Sequence, residues 1–176
     1  MIKTIGHSNH PIERFVDLLK HGGVKLLVDV RSVPYSRRFP QFGREKLAKS
    51  LEAAGIAYAW EGEALGGKSG GSYTAAAARP DFKETLGRLI ERSADTTLCL
   101  MCAEKEPLDC HRTVLVSRRL AERGAAIEHL LADGGTRQHV EIEEGLLAKN
   151  AGGDLFDDRN RLLEQAYDAR EHAMKA

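Results

Sequence analysis

The loop from Cys102 to Arg112 concentrates side chains that could do chemistry, because it holds two cysteines, three carboxylates, a histidine and an arginine. A thiol can act as a nucleophile, and a carboxylate can transfer a proton. Glu104 is therefore the preferred general acid or base, and Cys102 is a candidate nucleophile. The alternative for Cys102 is a half-buried structural thiol.

Strand, cysteine, loop, arginine and helix also follow one another in rhodanese-like sulfurtransferases and cysteine phosphatases, where the helix start collects an anion. Here nine residues separate Cys102 from Arg112, which is longer than in those loops. A cysteine-dependent transferase or hydrolase is therefore one alternative function for this chain.

Metal binding is a second use for these side chains, since Cys102, Cys110, His111 and His7 could form a four-ligand set. However, Cys99 and Cys102 are three apart on a predicted strand and should point to opposite faces. The chain also lacks a second Cys-x-x-Cys pair. The ligand spacing therefore predicts no metal. An odd number of cysteines in a chain without a secretion signal predicts reduced thiols and no disulfide, and no cofactor is expected.

Two more polar segments follow predicted strands. His7 and Ser8 come after the first strand, and Asp29 and Arg31 come at the end of the second. His7 could be a general base or bind an anionic ligand, or it could simply bond a backbone carbonyl. Asp29 could be catalytic, or it could form an ion pair with Arg31 or Arg112.

An anion is expected between Arg31 and the helix that His111 and Arg112 open. The first N–H groups of a helix have no partner within it, and its dipole favours negative charge there. Arginines add charge-assisted hydrogen bonds. The competing outcome is that Asp29 or Glu104 neutralises both arginines in a closed ion-pair cluster.

The loop between Arg31 and Lys49 is basic, and Tyr35, Phe39 and Phe42 are interleaved with its arginines. Arginine combined with aromatic side chains suits phosphate binding and base stacking. The candidate ligand contacts are Arg37, Arg38 and Gln41. A nucleic-acid-binding module is therefore another alternative, although zero net charge argues against tight non-specific binding. The aromatic side chains could instead pack back onto the domain.

The apolar pattern alternates between strands and helices along most of the chain. Predicted strands cover residues 3–5, 24–30, 56–60, 96–101 and 127–131, and predicted helices cover residues 12–21, 44–54, 81–90 and 111–123. We expect an α/β fold with three layers, in which a five-stranded, mainly parallel sheet carries helices on both faces. Residues 1–132 form this domain, and residues 133–176 form a helical C-terminal extension packed on it or trailing from it.

Ligands of open parallel sheets bind beyond the carboxyl ends of the strands, so His7, Asp29 and Cys102 should meet at one edge. The composition is that of an ordinary globular chain, with 176 residues, a net charge of zero and three cysteines. The first residues are not expected to form a signal peptide, because their apolar stretch is too short, and the sequence has no apolar run of 18 residues. We expect a cytoplasmic protein that is not bound to a membrane, and its oligomeric state stays open.

Several motifs resemble the bacterial and archaeal family known as domain of unknown function 488. They are Thr4-Ile5-Gly6-His7-Ser8, Leu27-Val28-Asp29-Val30-Arg31-Ser32, Ser36-Arg37-Arg38, Pro40-Gln41-Phe42, Leu65-Gly66-Gly67 and the Cys102-to-Arg112 loop. The resemblance spans roughly residues 2–131, and the family name implies no reaction. The Gly-, Ser- and Ala-rich segment from Lys68 to Arg79 departs from the pattern, which puts ligand contacts from that loop in doubt.

These patterns together predict an enzyme or ligand-binding domain for a small anionic ligand, phosphorylated or nucleotide-like. The chemical candidates are His7, Asp29, Cys102 and Glu104. The candidates for binding the ligand are Ser8, Arg31, Arg37, Arg38, Gln41, His111 and Arg112.

Overall fold

Six strands form one sheet in the computed structural model, which describes residues 1–68, 71–149 and 158–175. The strands are β1 (Ile2–Gly6), β2 (Leu26–Asp29), β3 (Ala57–Trp60), β4 (Leu98–Cys102), β5 (Ile127–Leu130) and β6 (Thr136–Gln138). Their order across the sheet is β3-β2-β4-β1-β5-β6. Strands β1 to β5 pair in parallel, and β6 pairs antiparallel with β5.

The sequence-based expectation of five strands was wrong by one strand, β6. Its three residues, Thr-Arg-Gln, are all exposed, so they carry no apolar alternation that could have predicted a strand. A tight turn before β6 positions this segment for pairing with β5. In that turn Gly134 has φ +101°, and the Gly135 N–H donates to the Asp133 carboxylate at 2.8 Å. A tight turn of this kind brings a short polar segment beside β5 without any apolar pattern.

The helices are α1 (Ile12–His21), α2 (Arg44–Ala53), α3 (Gly62–Leu65), α4 (Tyr73–Ala78), α5 (Pro80–Asp95), α6 (Arg118–Ala121), α7 (His139–Lys149) and α8 (Arg159–Lys175). A π-helical segment, Arg112–Ser117, leads directly into α6. Single 3₁₀ turns lie at Pro40–Phe42 and Pro107–Asp109. Within the described part of the chain, no helix combines the length and the apolarity needed to cross a bilayer.

The alternation of side chains along each strand divides the core into two layers. Leu26 and Val28 of β2 belong to the layer covered by α5, the π-helical segment, α7 and α8. Leu27, between them, belongs to the layer covered by α1 and α2. Both faces of the sheet are therefore buried under helices, which is why β2 and β4 are apolar at almost every position.

Helices α7 and α8 of the C-terminal extension contribute Ile142, Leu146, Leu163 and Tyr167 to the buried core. The extension is thus packed against the sheet in its described parts. The glycines and acids that the sequence places at 152–154 and 157 lie outside the described residues.

Candidate functional site

The loops that follow β1, β2 and β4 meet at one edge of the sheet, because these strands are adjacent and parallel. The His7 N–H donates to the Cys102 carbonyl at 2.8 Å, and the Ser8 N–H donates to the Ala103 carbonyl at 2.9 Å. The chain leaves β1 toward α1 on one face and leaves β4 toward the π-helical segment on the other. Departure to opposite faces opens a crevice between the two strand ends.

The crevice has a volume of about 590 Å³. Its floor is formed by His7, Arg31, Cys102, Glu104 and His111. Its walls and rim are formed by Val33, Tyr35, Lys68, Tyr73, Asp109, Arg170 and Lys175, among others. The edge predicted from the strand pattern is therefore also where the structure has a cavity large enough for a small molecule.

Asp29 and Arg31 form a closed, buried ion pair. Their side chains are 0% and 5% exposed. The Arg31 guanidinium donates to both carboxylate oxygens, at 2.9 and 2.6 Å, and also to the Phe42 carbonyl at 2.9 Å. Tyr58 donates its hydroxyl to the same carboxylate at 2.9 Å, and burial together with this carboxylate raises the pKa of Tyr58. The geometry matches the ion-pair interpretation of Asp29.

His7 has both ring nitrogens engaged. Nδ1 lies 2.9 Å from the Ser8 carbonyl, so it carries the proton, and Nε2 accepts from Arg31 at 3.3 Å. Its ring stacks on Phe42 at 4.2 Å. Burial and the nearby Arg31 charge lower the pKa of His7 to about 4. His7 therefore acts as a neutral support for Arg31 in this structure, with no free nitrogen for the general-base role considered above.

Four donor side chains converge at the floor of the crevice: Cys102, Glu104, Cys110 and His111. One ligand-type atom from each lies within 4.8 Å of all the others. A Glu104 oxygen is 3.0 Å from the Cys102 sulfur and 2.9 Å from the Cys110 sulfur. His111 Nδ1 is 3.5 and 3.9 Å from the same two sulfurs. We call this set the Cys-Glu-Cys-His cluster.

The groups of this cluster shift one another's protonation. Burial raises the pKa of Cys102, and the neighbouring Cys110 raises it further. Burial alone would also raise the pKa of Cys110, but the Cys102 hydrogen bond and the charges of Arg112 and His111 lower it. This pattern favours a neutral Cys102 rather than the reactive thiolate that a cysteine-dependent transferase needs.

Arg112 does not line the crevice, because its side chain is fully buried. It donates to the Glu104 carbonyl at 2.6 Å and to the Lys105 carbonyl at 3.2 Å, and it thereby holds the Cys102 loop in shape. The first N–H groups of the π-helical segment are also engaged. The Arg112 N–H donates to the Cys110 sulfur at 3.4 Å, and the Thr113 and Val114 N–H groups donate to the Cys110 carbonyl at 3.0 and 3.1 Å. The anion expected between Arg31 and this helix start therefore lacks its donors in the structure.

The remaining predicted ligand contacts lie away from the crevice lining. Arg38 stacks over Phe39 at 5.5 Å, Gln41 donates to the His10 carbonyl at 3.1 Å, and the Ser8 hydroxyl bonds Asn9 at 3.2 Å. Arg37 is exposed on the surface outside the crevice. The basic loop therefore touches the crevice through the residues at its start, Ser32, Val33, Tyr35 and Ser36, rather than through Arg37 or Arg38.

Sequence reasoning missed the cationic rim. Lys68 falls in the segment where ligand contacts were in doubt, and Arg170 and Lys175 come from α8, near the other end of the chain. Arg170 pairs with Asp109, which joins α8 to the Cys102 loop. No local pattern signals such a contact, because it depends on where α8 docks.

Gly67 is needed to seat His111. A Cβ at position 67 would lie 2.7 Å from Cγ and 2.8 Å from Cβ of His111. We expect Gly67→Ala to lower the free energy of unfolding by about 1–3 kcal/mol, because the ring or the loop must move. Chemical denaturation measures the change.

Gly87 provides the matched control, because it lies in α5 and a Cβ there would meet nothing within 4 Å. Gly87→Ala should raise stability by about 0.4–1 kcal/mol. Equal changes for the two substitutions would contradict the proposed role of Gly67.

Comparison with known proteins gives one match. The family model described as domain of unknown function DUF488 matches residues 11–119, which include the Cys102 loop. Searches among curated proteins and among solved structures find no match.

Proposed function

The chain belongs to the DUF488 family, and we propose that it is an enzyme acting on a small anionic ligand bound in the crevice. The observation that carries this proposal is the convergence of the Cys-Glu-Cys-His cluster at the floor of a cavity of about 590 Å³. Cavities of this size suit a small molecule, and groups that titrate unusually cluster at functional sites.

The walls of the crevice suggest the kind of ligand. Val33 and Tyr35 are large apolar side chains that remain 59% and 65% exposed on one wall. Lys68, Arg170 and Lys175 lie on the rim. Arg170 pairs with Asp109 and Lys175 pairs with Glu171, so Lys68 is the rim cation without a carboxylate partner among the described residues. An apolar wall facing a cationic rim suits a ligand with a flat ring and a negative group, such as a nucleoside monophosphate.

Glu104 is the residue we assign to proton transfer. Burial and the adjacent Cys110 raise the pKa of Glu104, which brings it closer to neutral pH. A general acid or base works best when its pKa is near the operating pH. Unlike Asp29, Glu104 is an exposed residue that lines the crevice, so a ligand can reach its carboxyl group.

The nucleic-acid-binding alternative has weaker support. Base stacking needs exposed aromatic faces, but Phe42 is fully buried and Phe39 packs against the core. Only Tyr35, of the three aromatic side chains in the basic loop, is exposed, and it lines the crevice.

Ligand titration tests the proposed function. We expect nucleoside monophosphates to raise thermal stability more than phosphate, sulfate or an uncharged nucleoside does. A ligand at one hundred times its Kd should add about 2.7 kcal/mol to the free energy of unfolding. Lys68→Ala should weaken nucleoside monophosphate binding, because the described residues offer the Lys68 ammonium no carboxylate partner and it is free to pair with the ligand.

Lys83→Ala is the control for this titration, since Lys83 is another exposed lysine and lies outside the crevice. It should leave binding unchanged. The proposal fails if none of these compounds shifts the wild-type melting curve at millimolar concentration, or if the two lysine variants behave alike.

A further inference from the structure

We propose that the Cys-Glu-Cys-His cluster binds a divalent zinc ion, with Cys102, Cys110 and His111 as the firm ligands and Glu104 as the exchangeable one. The sequence had suggested His7 as the fourth ligand, and it pointed away from a metal because Cys99 and Cys102 should face opposite sides of a strand and no second Cys-x-x-Cys pair is present. In the structure, Cys99 lies in the opposite core layer, and His7 is occupied by Arg31 and Ser8. Glu104 completes the donor set instead.

The donor types fit zinc. Two thiolates and an imidazole with one open position are a ligand set of catalytic zinc sites, whereas structural sites are closed by four protein ligands. Magnesium and calcium prefer oxygen ligands, so two sulfurs argue against them. The donor set therefore points to a borderline-soft ion held at the base of the crevice.

The distances also fit. Zinc bonds of about 2.3 Å to sulfur and 2.0–2.1 Å to nitrogen, arranged as a tetrahedron, separate sulfur and nitrogen by about 3.5 Å. His111 Nδ1 lies 3.5 and 3.9 Å from the two sulfurs. Glu104 lies closer to both sulfurs, at 3.0 and 2.9 Å. It must therefore move outward by about half an ångström, toward the crevice, to make room for the ion.

His111 is oriented as a metal ligand. Its Nε2 lies 2.9 Å from the Val30 carbonyl and donates to it, so Nδ1 is the nitrogen that faces the two sulfurs. Metal-binding histidines commonly donate their other N–H to a carbonyl or carboxylate, which fixes the ring and the tautomer. Gly67 leaves the space that this ring occupies.

The buried charge of Arg112 gives an independent reason. The Arg112 side chain is 0% exposed, and no carboxylate of the described residues pairs with it. A buried cation without a counter-charge is costly. Zinc with two thiolates and one carboxylate carries one net negative charge, and the Arg112 guanidinium lies next to it, since it donates to the carbonyls of Glu104 and Lys105 in the same loop. The Arg112 backbone N–H also donates to the Cys110 sulfur.

The position of Glu104 indicates that the ion would be accessible. Cys102 and Cys110 are buried, whereas Glu104 is on the side of the cluster that faces the crevice. Water or a ligand atom can therefore replace Glu104 while the other three residues keep the ion. Binding requires both sulfurs as thiolates and a neutral His111 ring, so protons are released to the solvent when the ion enters.

Metal titration of the full chain tests this site. After treatment with a chelator, the chain should take up zinc at one ion per molecule, with measurable release of protons. Cobalt, used as a coloured substitute, should give a sulfur-to-cobalt charge-transfer band and the strong visible absorption of a tetrahedral centre. A wild-type chain that shows no sulfur-to-cobalt band at saturating cobalt overturns the proposal.

Variants identify the ligands. Cys110→Ser and His111→Gln should each lower cobalt affinity by more than about 100-fold, exceeding the usual loss for an outer hydrogen-bond partner. Cys99→Ala removes a buried thiol outside the cluster and should leave the spectrum unchanged. Glu104→Gln, at an exposed position where misfolding is not expected, should keep the sulfur-to-cobalt band with weaker affinity. A Cys99→Ala spectrum that loses the band would equally overturn the assignment.

This inference goes beyond the proposed function and does not depend on it, because zinc and cobalt are added without any other ligand. Metal uptake with no response to nucleoside monophosphates would leave the zinc site standing and remove the proposed ligand class. Nucleoside monophosphate binding without a sulfur-to-cobalt band would support the proposed ligand class and remove the zinc site.

Discussion

Asp29→Asn is expected to lower the free energy of unfolding by about 3–5 kcal/mol, because it leaves the buried Arg31 guanidinium without its counter-charge. The substitution preserves the shape of the side chain, so no cavity contributes. Arg31 is held by three contacts to Asp29, including its own N–H at 3.1 Å, and both side chains are buried. Urea denaturation followed by circular dichroism measures the loss.

Two comparisons isolate the charge effect. The double variant Asp29→Asn with Arg31→Met removes both charges and should recover a large part of the loss. Asp81→Asn breaks another aspartate–arginine pair, with Arg79 two residues away, but that pair is exposed and its removal should change stability little. A loss for Asp29→Asn no larger than that for Asp81→Asn would contradict a buried ion pair.

Acid should destabilise the protein through a buried histidine pair, formed by His129 of β5 and His139 of α7. His129 Nε2 and His139 Nδ1 are 3.0 Å apart, Thr4 lies 2.7 Å from the other nitrogen of His129, and Tyr167 lies 3.2 Å from that of His139. Burial lowers the pKa of His139 to about 4 and lowers the pKa of His129 as well. Both rings are therefore neutral in the folded protein.

The direction of the pH effect follows from this pKa shift. Above about pH 6.5, neither the folded nor the unfolded chain protonates His139, so the shift contributes nothing. As the pH falls from 6.5 to 4, the unfolded chain takes up a proton that the folded chain excludes. Stability attributable to His139 should fall by about 1.4 kcal/mol per pH unit, or roughly 3 kcal/mol in total.

His139→Gln tests this effect, because glutamine does not titrate. The difference in unfolding free energy between wild type and His139→Gln should change by roughly 3 kcal/mol between pH 6.5 and pH 4. The nearby Glu143 carboxyl is present in both proteins. Val140→Ala, at an exposed position of α7, should reproduce the wild-type profile. Parallel curves for wild type and His139→Gln would rule out the proposed shift.

A crevice enzyme and a zinc site would share the same four side chains but use them differently. The ion pair of Asp29 and Arg31 closes one side of the crevice, and the buried Arg112 shapes the loop that carries Cys102 and Glu104. We therefore expect substitutions of these three charged residues to act mainly on stability. Substitutions of Glu104 and Lys68 should act mainly on binding.

Much of the architecture could be predicted from the sequence. Apolar runs such as Val24–Val30 report burial on both faces, and helices between them require parallel strands with right-handed crossovers. Together these patterns place the ends of β1, β2 and β4 at one edge, which is where the structure has its crevice. Apolar periodicity could not reveal β6, since its pairing depends on a turn rather than on burial.

Only the tertiary structure decided which polar side chains meet at that edge. Periodicity shows that a residue is buried, but not which residue it contacts, because partners such as Arg170 and Asp109 are brought together by the docking of whole helices. For the same reason, Glu104 rather than His7 joins Cys102, Cys110 and His111. Arg31 and Arg112 are each bonded to the nearest acceptors, the Asp29 carboxylate and the loop carbonyls, because a buried cation without a partner is costly in an interior of low polarity.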